Sequence, residues 1–454
     1  MYEHNNPFLI GNFAPWREEG DETDLLVEGE IPPDLNGSLY RIGPNPYFPP
    51  RGRYHWFDGD GMVHAITIRE RRASYRNRYV KTEGLAEEMK AGKALYGGLI
   101  NPSSEAKGPM PFKNAANTNI IGYANRLLAL YEAGLPHELQ PVTLETIGTF
   151  NFCGRLNGPM TAHPKIDPGT GELLFFGYQP FPPFVTYHRA SAVGELIESR
   201  PIDTGLPVMM HDFVVTRDHV VFFVCPSVFR IENLSKGLPM IAWEPQHGTR
   251  IGVMKRGGGE ICWFDSEACF IFHFLNGYED GNRVIIDACR STSIDMSGNN
   301  FGPNPPVPHR FTIDLSSGDV NLEQTDERSA EFPRINERFA GLRHRYGYFA
   351  SGPVFQNGKN FFRNTIKLDY QTARSEVQEL GAGMFPTEPV FAQRPGRSGE
   401  TDGYILTVWY DEAKNTSEVT IQDAANFSAM PQARVKLSHR IPFGFHGNWV
   451  QENL

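Results

Sequence analysis

What is scarce in this chain of 454 residues sets its limits first. The five cysteines, Cys153, Cys225, Cys262, Cys269 and Cys289, are odd in number and form no Cys-x-x-Cys pair, which argues against a disulfide framework. They read as reduced, mostly buried thiols of a cytoplasmic protein. Lysine and arginine total 43 against 53 acidic residues, a net charge of −10, and no long basic run occurs. That balance argues against nucleic acid as a partner. No stretch approaches the roughly 18 apolar residues that span a bilayer. The opening "MYEHNNPFLIGNF" lacks the basic and apolar segments of a signal peptide, so none is expected. The glycine-rich run "KRGGGEIC" (Lys255 to Cys262) carries neither a phosphate-loop nor a dinucleotide pattern and reads as a loop.

Helical signal is scarce too. The best stretch is "TEGLAEEMKAGKALYG" (Thr82 to Gly97), with a threonine at its start and good helix formers behind it. Plentiful instead are short runs of Val, Ile, Phe and Tyr separated by Gly, Asp, Asn and Pro, such as "ELLFFGY", "HVVFFVC" and "GYILTVWYDEAKNTSEVTIQD". "NGYEDGN" (Asn276 to Asn282) places Asp-Gly between two β-prone runs and predicts a hairpin. "YHWFDGDGMVHAITI" (Tyr54 to Ile68) predicts another, since its Asp-Gly-Asp-Gly lacks the spacing of a calcium loop. No linker divides the chain, so residues 1–454 read as one all-β domain, and at this length a β-propeller is the natural architecture. No WD or kelch signature marks the blades. The 32 Phe, 17 Tyr and 6 Trp exceed what a modest core needs and could also line a large apolar cavity.

Four of the fourteen histidines sit in or beside apolar, strand-like runs: His163 in "GPMTAHPKID", His211 in "PVMMHDFVVT", His273 in "CFIFHFLNG" and His446 in "FGFHGNWV". Any one of them reads as a hydrogen-bonded core residue. Their separations of 48, 62 and 173 residues say more. A propeller of about seven four-stranded blades would spend roughly 65 residues on each, so the separations approximate one, one and three blade steps. Equivalent positions on inner strands converge on the axis. Imidazole suits Zn, Cu, Fe and Ni, and histidine ligands usually donate their second N–H to a carboxylate. Glu132, Glu331 and Glu388 are carboxylates in otherwise apolar segments. Spacing alone leaves an axial metal and four core histidines equally open.

The chain also resembles a known family. The motifs are "GSLYRIGPNPYF", "YHWFDGDGMVHA", "LLALYEAGLPHELQPVTLET", "GPMTAHPKIDPGTGELLFFGY", "VMMHDFVVT", "EFPRIN", "TEPVFAQRPG" and "FGFHGNWV", spread over nearly the whole length. Together they resemble the carotenoid cleavage oxygenases, a family that includes apocarotenoid oxygenases and lignostilbene dioxygenases. The resemblance implies a seven-bladed propeller with a helical and loop dome over its metal face. It implies one Fe(II) held by His163, His211, His273 and His446, with Glu132, Glu331 and Glu388 bonded to three of the ligands. The implied reaction splits a C=C bond with O2 into two carbonyl products. That cleavage supplies all four electrons O2 needs, so no NAD(P)H or flavin is expected. Thr118, in "NAANTNI", matches a small side chain beside the open metal position, or is an ordinary strand threonine. Tyr131 matches a position lining the substrate tunnel, and Phe181 and Phe184 in "QPFPPFVTY" either extend the tunnel or pack a loop. In the lignostilbene branch a lysine stands at the Tyr131 position and a tyrosine precedes an Asn-Pro segment. Here Leu99 and Ile100 precede Asn101-Pro102, which favours a carotenoid or apocarotenoid substrate over 4-hydroxystilbenes or vinylphenols. Family members acting on lipids touch membranes at the tunnel mouth, so peripheral membrane contact is implied as well.

Overall fold

In a computed structural model of the chain, the residues described are 6–100, 105, 112–236, 238–296, 304–352, 354–356 and 359–451. Seven antiparallel sheets of four to six strands follow one another along the chain as the blades of a propeller. Blade 2 runs from Asn119–Tyr123 to Thr146–Thr149, blade 3 from Lys165–Ile166 to Leu196–Ile202, and blade 4 from Val214–Val215 to Cys262–Ser266. Blade 5 runs from Phe270–Asp280 to Val320–Gln324 and blade 6 from Ala330–Arg334 to Arg374–Gln378. Each begins at its innermost strand.

Burial explains the composition of the strands. The second strand of blade 3, Leu173–Tyr178, is buried at all six positions because neighbouring blades cover both its faces. A strand with no solvent face has no reason to alternate. The strand Arg72–Tyr79 does alternate, with Ala73, Tyr75, Asn77 and Tyr79 inward and Ser74, Arg76 and Arg78 between them. The hairpin expected at Asn276 to Asn282 is present. Asp280 pairs with Arg283 across a two-residue turn, and Gly281 adopts φ +64°, a conformation glycine reaches without strain.

Closure of the ring is not visible in the local pattern. Gly37–Pro44 pairs with Gly61–Arg69 on one side and with the C-terminal strand Gly447–Gln451 on the other, forming blade 1 from both parts of the chain. Leu26–Gly29 joins blade 7 by pairing with Ala433–Lys436, outside the hairpin Gly403–Asp411 and Thr416–Asp423. Between these two blades lies a core that includes Leu39, Ile66, Leu406, Ile421 and Val435.

Two expectations need correction. The helix is Glu83–Ala91, shorter than the Thr82 to Gly97 stretch. Thr82 caps it by accepting the Leu85 N–H, and Gly92 ends it at φ +70°. Tyr54 to Ile68 is not a hairpin. Trp56–Asp58 forms a 3-10 turn capped by His55, and only Gly61–Arg69 is strand. The two aspartates serve as buried acceptors: Asp58 takes the N–H groups of His55 and Leu99, and Asp60 that of Tyr47. Anchored this way, the segment places Trp56, Phe57 and Asp58 in the wall of the central cavity. The glycine run after Thr249–Lys255 is a turn leading to Cys262–Ser266.

Truncating a side chain in the closure core should destabilise the whole ring. Ile421→Ala is expected to cost about 2–5 kcal/mol, read as a lower midpoint in denaturant unfolding with an unchanged slope.

Candidate metal centre

Each blade presents one side chain at its axial end. His446 immediately precedes Gly447–Gln451, Thr118 precedes blade 2, and His163 and His211 stand just before the inner strands of blades 3 and 4. His273 and Glu331 lie within the inner strands of blades 5 and 6, and Glu388 stands two residues before Val390–Gln393 of blade 7. The two residues inside strands sit at irregularities. Pairing shifts between Ile271 and Phe274 and between Glu331 and Arg334, and Phe332 takes φ +52°. Such a break turns a side chain out of the plane where the ladder would hold it.

The four imidazoles meet. One nitrogen from each lies within 4.8 Å of all the others. The Nε2 atoms of His163 and His211 are 2.9 Å apart, and those of His273 and His446 are 3.1 Å apart. The opposite nitrogens are engaged: Nδ1 of His211 lies 2.6 Å from Glu132, that of His273 2.5 Å from Glu331, and that of His446 2.9 Å from Glu388. A carboxylate accepts only, so the Nδ1 atoms of His211, His273 and His446 donate to it, which turns their Nε2 atoms toward the common point. Nitrogens that converge at about 3 Å must have either a shared proton or a cation between them. The donor set therefore fits a transition metal that prefers imidazole, and not calcium or magnesium, which take oxygen ligands.

Burial favours the neutral, ligating form of two of the rings. Burial pushes His163 well below the ordinary histidine range, helped by the other three rings, and brings His446 down to about 4. Burial also works to lower His273, but the Glu331 carboxylate overcomes it and leaves that ring raised. A metal would take the place of the proton His273 otherwise holds. Glu388 is held down to about 2: burial alone would raise it, and Arg334, His446 and Arg41 outweigh burial.

Those two arginines were not singled out from the sequence, although they stand in "GSLYRIGPNPYF" and "EFPRIN". Arg41 lies 3.5 Å and Arg334 3.3 Å from the Glu388 carboxylate. Asp212, beside His211, was missed as well. It accepts from Lys165 in blade 3 at 2.7 Å and from the Phe274 N–H in blade 5 at 3.0 Å, tying three blades together under the site. Burial alone would not have picked out the four ligand candidates. His64, His188 and His344 are equally buried but are bonded away from the axis, to Tyr75, Ser199 and Asp287.

A cavity of about 670 Å³ opens beside the histidines, lined by His211, His273 and His446, by Thr118 and Tyr131, and otherwise mainly by aromatic and aliphatic side chains. Its size is ordinary for a small-molecule site. Thr118 lines it while its hydroxyl donates to Asn117 at 2.9 Å. Phe181 stands at the edge, 62% exposed. Phe184 does not line the cavity. Its carbonyl accepts from the Gln179 N–H, so it closes the loop instead. The Asn101-Pro102 pair lies outside the described residues.

Comparison with known proteins gives one consistent outcome. The family model described as retinal pigment epithelial membrane protein matches residues 13–451. A carotenoid 9,10(9',10')-cleavage dioxygenase of Arabidopsis thaliana is 34% identical over 98% of this chain and 90% of its own length. An isoeugenol monooxygenase of Pseudomonas nitroreducens is 34% identical over 98% of each. Among solved structures, the lignostilbene dioxygenase of Pseudomonas brassicacearum superposes with a TM-score of 0.91 at 29% identity, covering 98% of both chains.

Removing the charge from one outer carboxylate should loosen the site without emptying the core. Glu331→Gln is expected to weaken metal binding about 10–100-fold, measured as metal retained after dialysis against a graded chelator.

Proposed function

The chain belongs to the RPE65 and carotenoid cleavage oxygenase family, which includes carotenoid cleavage dioxygenases and a lignostilbene dioxygenase, and on that premise we propose oxidative C=C cleavage with Fe(II) as its metal and an apolar conjugated alkene of the carotenoid or apocarotenoid class as its substrate. The observation that carries the reading is the convergence of four imidazole nitrogens within 4.8 Å of one another, three of the rings backed by carboxylates. His163, His211, His273 and His446 would hold the ion. When bound, iron supplies the redox-active centre at which O2 is used.

The protein's own part is orientation and exclusion. Glu132, Glu331 and Glu388 keep each Nδ1 protonated and each ring turned inward. The apolar cavity keeps water away and places the double bond, so that shape decides which bond breaks. Splitting C=C into two C=O groups releases four electrons, the number that reduces O2 fully, and the reaction needs no other reductant.

A second reading, a 4-hydroxystilbene or vinylphenol substrate, is favoured by polar side chains in the cavity wall. Asp58, Lys113, Asn114 and Tyr131 are among them. Burial raises the Tyr131 hydroxyl and the Asp58 carboxylate raises it further, so it stays protonated and able to donate. The similarity to an isoeugenol monooxygenase supports the same reading.

Five free cysteines, three of them buried, support a reducing, cytoplasmic compartment. Exposed Phe181 at the cavity edge and Leu238, 52% exposed, support peripheral contact with an apolar surface. No helix among the described residues is long and apolar enough to cross a membrane.

Aerobic incubation of the iron-loaded protein with apocarotenals and with 4-hydroxystilbenes, followed by identification of the aldehydes released, tests the reading. Aldehydes from the first class only support the main proposal, and from the second only its alternative. His273→Ala should lose iron and turnover together; a metal-free variant that still turns over refutes the mechanism. Tyr131→Phe separates the substrates further. Losing one hydrogen bond of about 1 kcal/mol should raise KM for a phenolic alkene roughly fivefold and leave an apocarotenal unchanged.

A further inference from the structure

The three carboxylate–histidine pairs are not equivalent. Among the described residues neither Glu132 nor Glu331 has an ion pair with Lys or Arg, and Glu331 Oε1 has no hydrogen-bond partner. Glu388 faces two guanidinium groups, and its Oε2 also accepts the Gly447 N–H at 2.8 Å. The same two arginines reach past the carboxylate to the backbone on either side of His446. Arg41 Nη2 donates to the Phe445 carbonyl at 2.9 Å, and its Nη1 to the Glu388 carbonyl at 3.3 Å. Arg334 Nη1 donates to the Gly447 carbonyl at 2.8 Å, and its Nη2 to Asn448 Oδ1 at 2.8 Å. His446 itself donates its N–H to the Thr118 carbonyl, and its carbonyl accepts the Ile42 N–H. No freedom remains at residues 445–447.

The parts come from far apart. Arg41 belongs to the N-terminal part of blade 1, Arg334 to blade 6, Glu388 to blade 7, and His446 to the strand whose docking closes the ring. Two planar forks hold both neighbouring carbonyls and the carboxylate at once, which a single ammonium group cannot do. Two cations for one carboxylate also explain how the clamp tolerates burial. Removing either arginine still leaves Glu388 with a partner, so the loss of one does not strand a buried charge.

We propose that Arg41 and Arg334 are positioning residues for His446: together they hold its carboxylate and the peptide groups on both sides of it, so that the ligand carried by the closing strand meets the other three. This rests on the reading of the four histidines as a metal site. The test uses Co(II) as probe on metal-free full-length protein, with affinity by titration and the Co(II)-induced rise in Tm as readouts. Arg41→Met and Arg334→Met keep the apolar stem and remove the fork. Each is expected to lower Co(II) affinity tenfold or more, the range for groups that orient ligands, and to shrink the Co(II)-induced rise in Tm. Arg41→Lys and Arg334→Lys keep the charge without the fork and should not restore affinity; if a Met variant does not fold, they stand in for it. Wild-type affinity in the Met variants, or full restoration by lysine, overturns the clamp. So does a fall in Tm that is equal with and without Co(II), which would mark a structural role only. A wild-type protein that takes no Co(II) overturns the metal reading itself.

Discussion

Everything at the centre of this molecule depends on a proton held on one side of a ring. The bonds from Nδ1 of His211, His273 and His446 to Glu132, Glu331 and Glu388 leave the Nε2 atoms pointing at a common spot. Without the carboxylates each buried imidazole could take either tautomer, and the inward nitrogen would as readily carry hydrogen as a lone pair. Nitrogens converging in a dry interior need a shared proton or a cation between them. A cation at that spot would take the place of the proton and be coordinated. The order of events is thus built in: the protein prepares a place that metal completes.

The propeller makes this possible because it gives a small number of side chains a common origin. Seven inner strands meet at one axis, and the residue at the axial end of each is a short step from its neighbours. The cost is closure. A ring of blades must join its ends, and here two N-terminal strands do so, Leu26–Gly29 in blade 7 and Gly37–Pro44 in blade 1. His446 arrives with that closure. The site and the fold are therefore completed by the same strand, and the hydrogen bonding around the four histidines is densest at His446.

Charge is distributed with similar economy. As ligands the four imidazoles would be neutral, the three carboxylates stand one bond further out, and among the described residues only Glu388 is countered by arginine. The cavity on the open side is lined mainly by carbon, with a few polar side chains such as Tyr131 in its wall. An alkene entering it meets little that could bind it except shape, so the position of the double bond is decided by the walls. A substrate carrying a hydroxyl would find Tyr131 and its neighbours. The relatives it resembles include both a carotenoid cleavage dioxygenase and an isoeugenol monooxygenase.

Much was legible in the sequence, for identifiable reasons. Hairpins such as Asp280-Gly281-Asn282-Arg283 depend on local backbone preference, and uninterrupted runs such as Leu173–Tyr178 depend on burial from both faces, so both leave a mark in adjacent residues. The four histidines stood out because an axial position recurs once per blade. The misreading at Tyr54 to Ile68 came from the same local logic. Asp-Gly-Asp-Gly looks like a turn, but Asp58 and Asp60 are spent on distant N–H groups at Leu99 and Tyr47. Nothing nearby in the chain announces those partners. Phe181 and Phe184 have alike surroundings in the sequence, yet only the first borders the cavity. Composition and motif determined the β architecture, the family and the histidine set. The tertiary structure decided which arginines hold Glu388 and how the ring closes. Those contacts join residues as far apart as Arg41 and Phe445, and no local preference encodes a bond between atoms that only folding brings together.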